Sequence, residues 1–260
     1  MHNSDNSCLT MIQRAESILT VKAERDFARI ATESTGAEFR RLGSMPATRL
    51  PELPEYVPYN KVRGYRKEEC HRFKELTGFY SEYALNPSVE VWAADADRAT
   101  HRTLLDAGLQ PSITTAALHT RPRPSQSSIV DVQEVGLDDR RYMDVLYRGY
   151  DVPRSATAFR RMLAVEHSTP GLRRYIALID GRAVSAAALF TDDSTSLLAG
   201  VATIPAYRKR GCQAALVERR LSDAAEHSDL AIATTAFASP SHANLARQGF
   251  HISHTRTTWN

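Results

Sequence analysis

The sequence predicts a mixed α/β protein, with an α+β-type mixed sheet, arranged as two related units, 1–124 and 125–260. Three observations predict it. Thr195 to Leu221 reads TSLLAGVATIPAYRKRGCQAALVERRL: an apolar run closed by Pro205, a basic turn, then helical spacing. A shift of 141 residues lays Val89–Leu109 on Leu230–Phe250 without a gap, with His101 on His242, Leu104 on Leu245 and Gly108 on Gly249. Each copy is strand, small polar turn, helix, glycine and apolar residue, one supersecondary unit repeated. Between the copies, Thr120–Ser127 (TRPRPSQS) sets Pro122 and Pro124 among small polar residues and reads as a linker.

The elements follow in order. Cys8–Ser34 has helical spacing through Ile12, Ala15, Leu19, Phe27, Ile30 and Ala31. Thr35–Tyr59 is broken by Gly36, Gly43, Pro46, Pro51, Pro54 and Pro58 and reads as loop with little regular structure. Arg66–Leu85 returns to helical spacing through Cys70, Phe73, Leu76, Tyr80 and Tyr83. Val89–Ala93 is a strand, Arg98–Ala107 a helix ended by Gly108, and Ile113–His119 a strand. After the linker, Ile129–Val135 alternates as a half-buried strand does, and Asp138–Tyr150 and Ala156–Glu166 are helical. Tyr175–Ile179 and Ala183–Phe190 are strands joined by Asp180-Gly181, a hairpin signal. Asp192-Asp193-Ser194 turns into the central stretch. The helix after Gly211 carries Ala215, Leu216, Leu221 and Ala225 inward. Ser228–Thr235 is a further strand, and a short helix ends at Gly249.

Composition narrows the class. The 260 residues are 42% hydrophobic and 24% charged, enough for a core and against wholesale disorder. Lys and Arg (33) nearly balance Asp and Glu (30), and a formal net charge of +3 argues against a nucleic-acid-binding block. Cys8, Cys70 and Cys212 are odd in number, far apart and without metal-ligand spacing. They read as reduced thiols, which implies a cytoplasmic protein without a metal. The opening MHNSDNS lacks the cationic start and apolar core of a signal peptide. No apolar run approaches the ~18 residues of a membrane helix.

Strand, tight basic turn and helix together build an anion cradle. The first amides of a helix lack intrahelical partners and stand at the positive end of its dipole, where a phosphate meets both. Gly211 lets the backbone approach closely and take a positive φ. Arg208, Lys209 and Arg210 add charge. Gly200 inside the strand signals a bulge or a ligand's close approach. The plainer alternative is a basic surface turn before an ordinary helix.

This stretch resembles the acyl-CoA-binding motif of the GNAT superfamily of N-acyltransferases. That motif is a strand ending V-x-P or similar, here Thr203-Ile204-Pro205, then [RQ]-x-x-G-x-[GA], here Arg208-Lys209-Arg210-Gly211-Cys212-Gln213. Gln213 departs from the pattern but still offers its backbone amide. Asn244 and Gly249-Phe250 match the short helix that follows in the family. The resemblance covers roughly residues 128 to 260. It implies two GNAT-like domains, the acyl-CoA N-acyltransferase fold in the C-terminal half and a degenerate N-terminal half, where Arg63-Gly64 is followed by no cradle.

The resemblance implies acetyl-CoA, or another acyl-CoA, as cofactor. The amides of Val201, Ala202 and Thr203 would hold the acyl carbonyl and the pantetheine arm. The turn and helix start, Arg208, Lys209, Arg210, Gly211, Cys212, Gln213 and Ala214, would hold the pyrophosphate. Asn244 would meet the pantetheine or a bound water. Acyl transfer to an amine also needs a proton acceptor and a donor to the thiolate. Many family members carry a Tyr four residues before a G-F pair as that donor; here the position is Leu245. No acidic residue lies in Leu197–Ile204 to serve as base. Ser239 and Ser241 are the candidate proton donors, and the competing role for a Ser there is an N-cap. His242 reads as an exposed helix residue. Cys212 stands at a helix start, where thiol pKa values fall, or is a small apolar filler.

The leading function is therefore an N-acyltransferase moving an acyl group from acyl-CoA to a small-molecule or amino-acid-like amine. A non-catalytic acyl-CoA-binding module is the second reading. An acyltransferase using aminoacyl-tRNA as donor is the third, and the near-neutral charge argues against it.

Overall fold

The computed structural model describes residues 3–124 and 129–260, with side chains from residue 9 onward. Cys8 falls in α1 but its side chain is not described, and 125–127 of the expected linker lie outside the described residues. In chain order the elements are α1 (Asn3–Glu33), β1 (Glu38–Leu42), β2 (Met45–Arg49), β3 (Lys61–Val62), α2 (Phe73–Ser81), β4 (Ser88–Trp92), α3 (Arg98–Asp106) and β5 (Pro111–Thr120). They continue as β6 (Asp131–Val135), α4 (Arg140–Gly149), α5 (Thr157–Glu166), β7 (Leu172–Ile179), β8 (Arg182–Asp192), β9 (Thr195–Thr203), α6 (Cys212–Ala224), β10 (Leu230–Ala236), α7 (Pro240–Arg247) and β11 (His251–Trp259). The fold is mixed α/β. Its two compact units interleave in sequence: 23–117, 235–242 and 252–260 form one, and the chain up to Lys22, 118–234 and 243–251 the other.

The first unit carries strands in the order β1-β2-β3-β4-β11-β5. Its β1–β2 hairpin lies within Thr35–Tyr59, the passage whose Gly and Pro content reads as loop. Leu42 faces Met45 across Gly43-Ser44, and Gly43 takes φ +62 to make the turn. Pro46 faces Arg41 inside this hairpin, so it forfeits one donor without breaking the strand. Arg66–Leu85 is not one helix: a 3-10 segment, Lys67–Arg72, precedes α2. The last strand of the chain, β11, pairs antiparallel with β4, from Arg256 opposite Trp92 to Trp259 opposite Val89. Trp259 joins Val62, Leu76, Val89, Val91 and Leu104 in the core of this unit.

The repeated segment folds alike in both places. Gly108 and Gly249 take φ +83 and +81. The Leu109 amide bonds Leu104 O at 3.0 Å, and the Phe250 amide bonds Leu245 O at 3.1 Å. Gly108 and Gly249 donate to Leu105 O and Ala246 O. Each helix thus ends in a Schellman motif whose glycine is followed by a buried apolar residue.

The second unit carries strands in the order β10-β9-β8-β7-β6. Asp180 and Gly181 (φ +51 and +72) turn β7 into β8. Tyr175 and Ile176 are neighbours on β7 and point to opposite faces. Ile176 packs with Tyr142 of α4, whereas the Tyr175 hydroxyl donates to Asp223 of α6 at 2.8 Å. α4 and α6 therefore cover opposite faces. The inner stripe of α6 is Ala215, Leu216, Leu221 and Ala224; Ala225, expected inward, is exposed. Ala15 and Ile18 of α1 pack on Phe190, Leu197 and Ile232, and Arg14 bonds Thr195, Ser194 and Asp229.

Candidate functional site

β9 contains one residue more than β8 needs. Ala187 faces Val201 but Ala188 faces Ala199, so Gly200 is the bulged residue, with φ +35. Beyond the bulge β9 is open on its other edge. β10 pairs with it in parallel only at Thr195, Ser196 and Leu197. The Ile204 amide donates to Val184 O on β8 at 2.9 Å. Strand alternation then turns the amides of Val201 and Thr203 toward the open edge and that of Ala202 toward β8. Of the three expected carbonyl-binding residues, Val201 and Thr203 thus present backbone groups there.

The chain next passes through Pro205–Tyr207 into the basic turn. Lys209 and Gly211 both take left-handed conformations, φ +62 and +80. The first helical bond of α6 runs from Ala215 N to Gly211 O, so the amides of Cys212, Gln213 and Ala214 have no acceptor within the helix. Arg208, Lys209, Arg210 and Gly211 are exposed. The Arg208 guanidinium reaches back to Thr203 O (3.4 Å) and Gly149 O (3.3 Å), which fastens the turn to the end of α4. Arg210 and Arg182 both lie over the Tyr207 ring. The Cys212 thiol is buried, and burial pushes its pKa up, not down as a helix start alone suggests. Cys212 is a filler.

Gln213, the departure from the motif, has a partner. Its Oε1 accepts from Asn244 Nδ2 at 2.6 Å, and Arg247 donates to Asn244 Oδ1. The Asn244 amide is committed to protein groups. Ser239 is an N-cap: its Oγ accepts from the His242 amide at 3.2 Å and contacts Thr235 Oγ1. Ser241 is half-buried in the first turn of α7, and both serines belong to the first unit. His242 is half-buried rather than exposed, with Nδ1 accepting from Ala238 N and its ring against Phe237.

Two buried polar side chains that the sequence did not suggest meet the bulge, one from each face of the sheet. His167 follows α5, is 4% exposed, and shares a 2.8 Å hydrogen bond between Nδ1 and the Tyr142 hydroxyl. A Cβ placed on Gly200 would stand 2.5 Å from His167 Cε1 and 3.0 Å from Nε2, so the imidazole edge occupies the space a side chain at 200 would fill. Burial pushes the His167 pKa down to about 4, outweighing the neighbouring Glu166 carboxylate, so the ring is neutral near pH 7. Arg220 of α6 is also buried. Its Nη1 donates to Ala188 O (3.0 Å) and Ala199 O (3.3 Å), the carbonyls flanking the bulge, and Nε to Leu216 O. With no carboxylate beside it, burial lowers its pKa to about 10, and it stays charged at neutral pH. One signal for these side chains existed: Arg220 interrupts the apolar inner stripe of α6, four residues after Leu216.

The arrangement is an open strand edge with free amides, a left-handed basic turn, helix-start amides without acceptors in the helix, and at the bulge a buried imidazole on one face of the sheet and a buried guanidinium on the other. No described helix is long and apolar enough to cross a membrane, and no metal-ligating cluster occurs among the described residues.

No protein-family profile and no curated protein sequence matches the chain. Solved structures do. One is a GCN5-related N-acetyltransferase from Kribbella flavida, with 16% identity over 90% of this chain and 94% of that one and a TM-score of 0.63. Another, from Sphaerobacter thermophilus, has 15% identity, covers 76% and 71%, and has a TM-score of 0.59. A tandem GNAT protein from the clavulanic acid biosynthesis pathway has 15% identity over 94% and 95%, with a TM-score of 0.58. The chain therefore has the mixed α/β fold of the GCN5-related N-acetyltransferases. More particularly, its likeness to a tandem GNAT protein runs through both units.

Proposed function

We propose that this protein is an N-acyltransferase that takes an acyl group, acetyl in the simplest case, from acyl-CoA and passes it to the amine of a small molecule. The observation that carries this reading is the open edge of β9 running directly into the left-handed turn at Lys209 and Gly211. Val201 and Thr203 would hold the acyl carbonyl and pantetheine by their amides. Ala202 would serve from within the strand. The amides of Cys212, Gln213 and Ala214 would hold the pyrophosphate, with Lys209 and Arg210 as the nearby exposed charges. Arg208 would act by fixing the turn to α4. Asn244 would act through Gln213, which it holds, rather than by touching pantetheine. The thioester supplies the activated acyl group when bound. The cofactor site lies in the C-terminal half (125–260), the N-terminal half (1–124) is a degenerate GNAT-like domain without cofactor, and the compartment is cytoplasmic.

Leu245, buried where the family's thiolate donor stands, favours a second reading: an acyl-CoA-binding module without turnover. Two measurements decide. Titration calorimetry with acetyl-CoA should give one site per chain; no binding, or two equivalent sites, refutes the assignment. A mass-spectrometric screen of primary amines with acetyl-CoA should give an acylated product; tight binding with no product from any amine selects the second reading.

A further inference from the structure

The fold brings a neutral imidazole to the one point of β9 that has no side chain. His167 is held from α4 by Tyr142, at Nδ1. Its Nε2 makes no hydrogen bond among the described residues, and that atom lies 3.0 Å from where a Cβ on Gly200 would be. The next residue, Val201, offers its amide at the open edge. An acyl carbonyl held by that amide and the amine attacking it would meet within a side chain's reach of Nε2. From the opposite face, Arg220 holds the carbonyls of Ala188 and Ala199 and so fixes the bulge.

On the acyl-CoA reading above, we infer that His167 is the proton carrier of the transfer, with Tyr142 fixing its tautomer. In the required tautomer the Nδ1 hydrogen is donated to Tyr142 Oη, which leaves the Nε2 lone pair free. The amine nitrogen attacks the thioester carbonyl carbon, forming the C–N bond, and the carbonyl π pair moves to oxygen. The amine proton passes to Nε2. On collapse the C–S bond breaks, its electron pair leaves on the CoA sulfur, and the imidazolium returns the proton to that sulfur. Amide and free thiol result, and the imidazole is neutral again.

The surroundings suit a carrier more than a store. Burial, first, and then Lys22 of α1 and Arg174 of β7 disfavour the imidazolium, and burial outweighs Glu166, which favours it. Lys22 is itself paired to Glu166 at 3.3 Å. A proton accepted at Nε2 is held only while the oxyanion is present, and it leaves readily for the thiolate.

The test uses the full chain with acetyl-CoA as donor and hydroxylamine as probe amine, after subtraction of the uncatalysed reaction. Hydroxylamine is mainly neutral at pH 7 and above, so its own ionisation does not shape the profile. His167→Gln keeps a group able to bond Tyr142 but cannot carry a proton. Its acetyl-CoA affinity should stay within about twofold, while kcat falls about a hundredfold or more. The parent's kcat should be level from pH 7 to 9, and the variant's should climb with pH as solvent base takes the proton. Tyr142→Phe leaves the imidazole in place and should lower kcat by about tenfold, with acetyl-CoA binding kept. Unchanged kcat and a level profile in His167→Gln overturn the inference and leave the acyltransferase intact. Loss of acetyl-CoA binding in His167→Gln also overturns it, because the ring is then a structural plug under Gly200. A parent that binds acetyl-CoA but acylates no amine removes the acyltransferase reading itself, and this inference with it.

Discussion

Replacing Gly200 by alanine tests whether the imidazole really packs into the bulge. The Cβ would stand 2.5 Å from His167 Cε1, and φ there is +35. Gly211 is the control: its φ is +80, but a Cβ would meet only Val130 Cγ2, at 3.8 Å. Both substitutions carry the left-handed penalty of an L-residue, about 1–2 kcal/mol. Only Gly200→Ala also forces a buried ring from a site where Tyr142 holds it, which adds about 1–3 kcal/mol of overpacking. The expected losses are therefore about 2–5 kcal/mol for Gly200→Ala and about 1–2 kcal/mol for Gly211→Ala. Urea midpoints at constant m measure them. Both tryptophans, Trp92 and Trp259, belong to the first unit, so the shift should appear in circular dichroism and not in the tryptophan signal if the units unfold separately. In a His167→Ala background the extra penalty of Gly200→Ala should shrink, giving a coupling of about 1–3 kcal/mol. Equal losses at the two glycines, or no coupling, would refute the packing argument.

Three further outcomes are expected. Gly211→Val should weaken acetyl-CoA binding about 5- to 150-fold through backbone strain alone, and Lys209→Ala by about tenfold or less with a shallower salt dependence; calorimetry at two ionic strengths checks the ranking, and parental affinity in Gly211→Val would show that the cradle is elsewhere. The His167 pKa is about 4 folded and the ordinary value is 6.5, so between these the unfolded chain binds the extra proton and stability falls as pH falls; acidification from pH 6.5 to 4 should cost the parent up to about 3 kcal/mol more than His167→Gln, read from urea midpoints. Arg220→Met should destabilise by about 2–4 kcal/mol because Ala188 O and Ala199 O lose their shared donor in a buried site; a loss under about 1 kcal/mol would mean that water replaces the guanidinium.

What the sequence disclosed was the chemistry written in backbone signals. Pro205 and Gly211 mark where β9 ends and α6 begins, Asp180-Gly181 marks a hairpin, and Gly108 and Gly249 mark helix ends, because each demands a conformation that few residues accept. Gly43 makes the same kind of demand, but neighbouring prolines made its hairpin read as loop. The partner of β11 was not legible. Its run HISHTRTTW has no apolar–polar alternation, and only packing places it between β4 and β5. Asn244 and Gln213 were each placed near the cofactor, yet their bond to one another depends on side-chain directions that spacing does not encode. Tyr142 lies in the amphipathic helix α4 and His167 just past the end of α5, and no local spacing links the two.

The bulge explains why those distant residues belong together. One extra residue in β9 bends the strand, and β10 no longer pairs with it beyond Leu197. The same insertion leaves the carbonyls of Ala188 and Ala199 on one site, where a single buried donor serves both; Arg220 is that donor. It also puts a residue at a positive φ, where glycine is favoured, and the missing side chain admits the His167 ring. Open edge, buried cation and neutral imidazole are thus three consequences of one local irregularity. Removing the irregularity should remove all three at once, whereas replacing Arg220 or His167 should leave the edge open and alter only what stands behind it. If deletion of Gly200 restored β9–β10 pairing and left acetyl-CoA binding unchanged, the donor site would have to lie away from this edge.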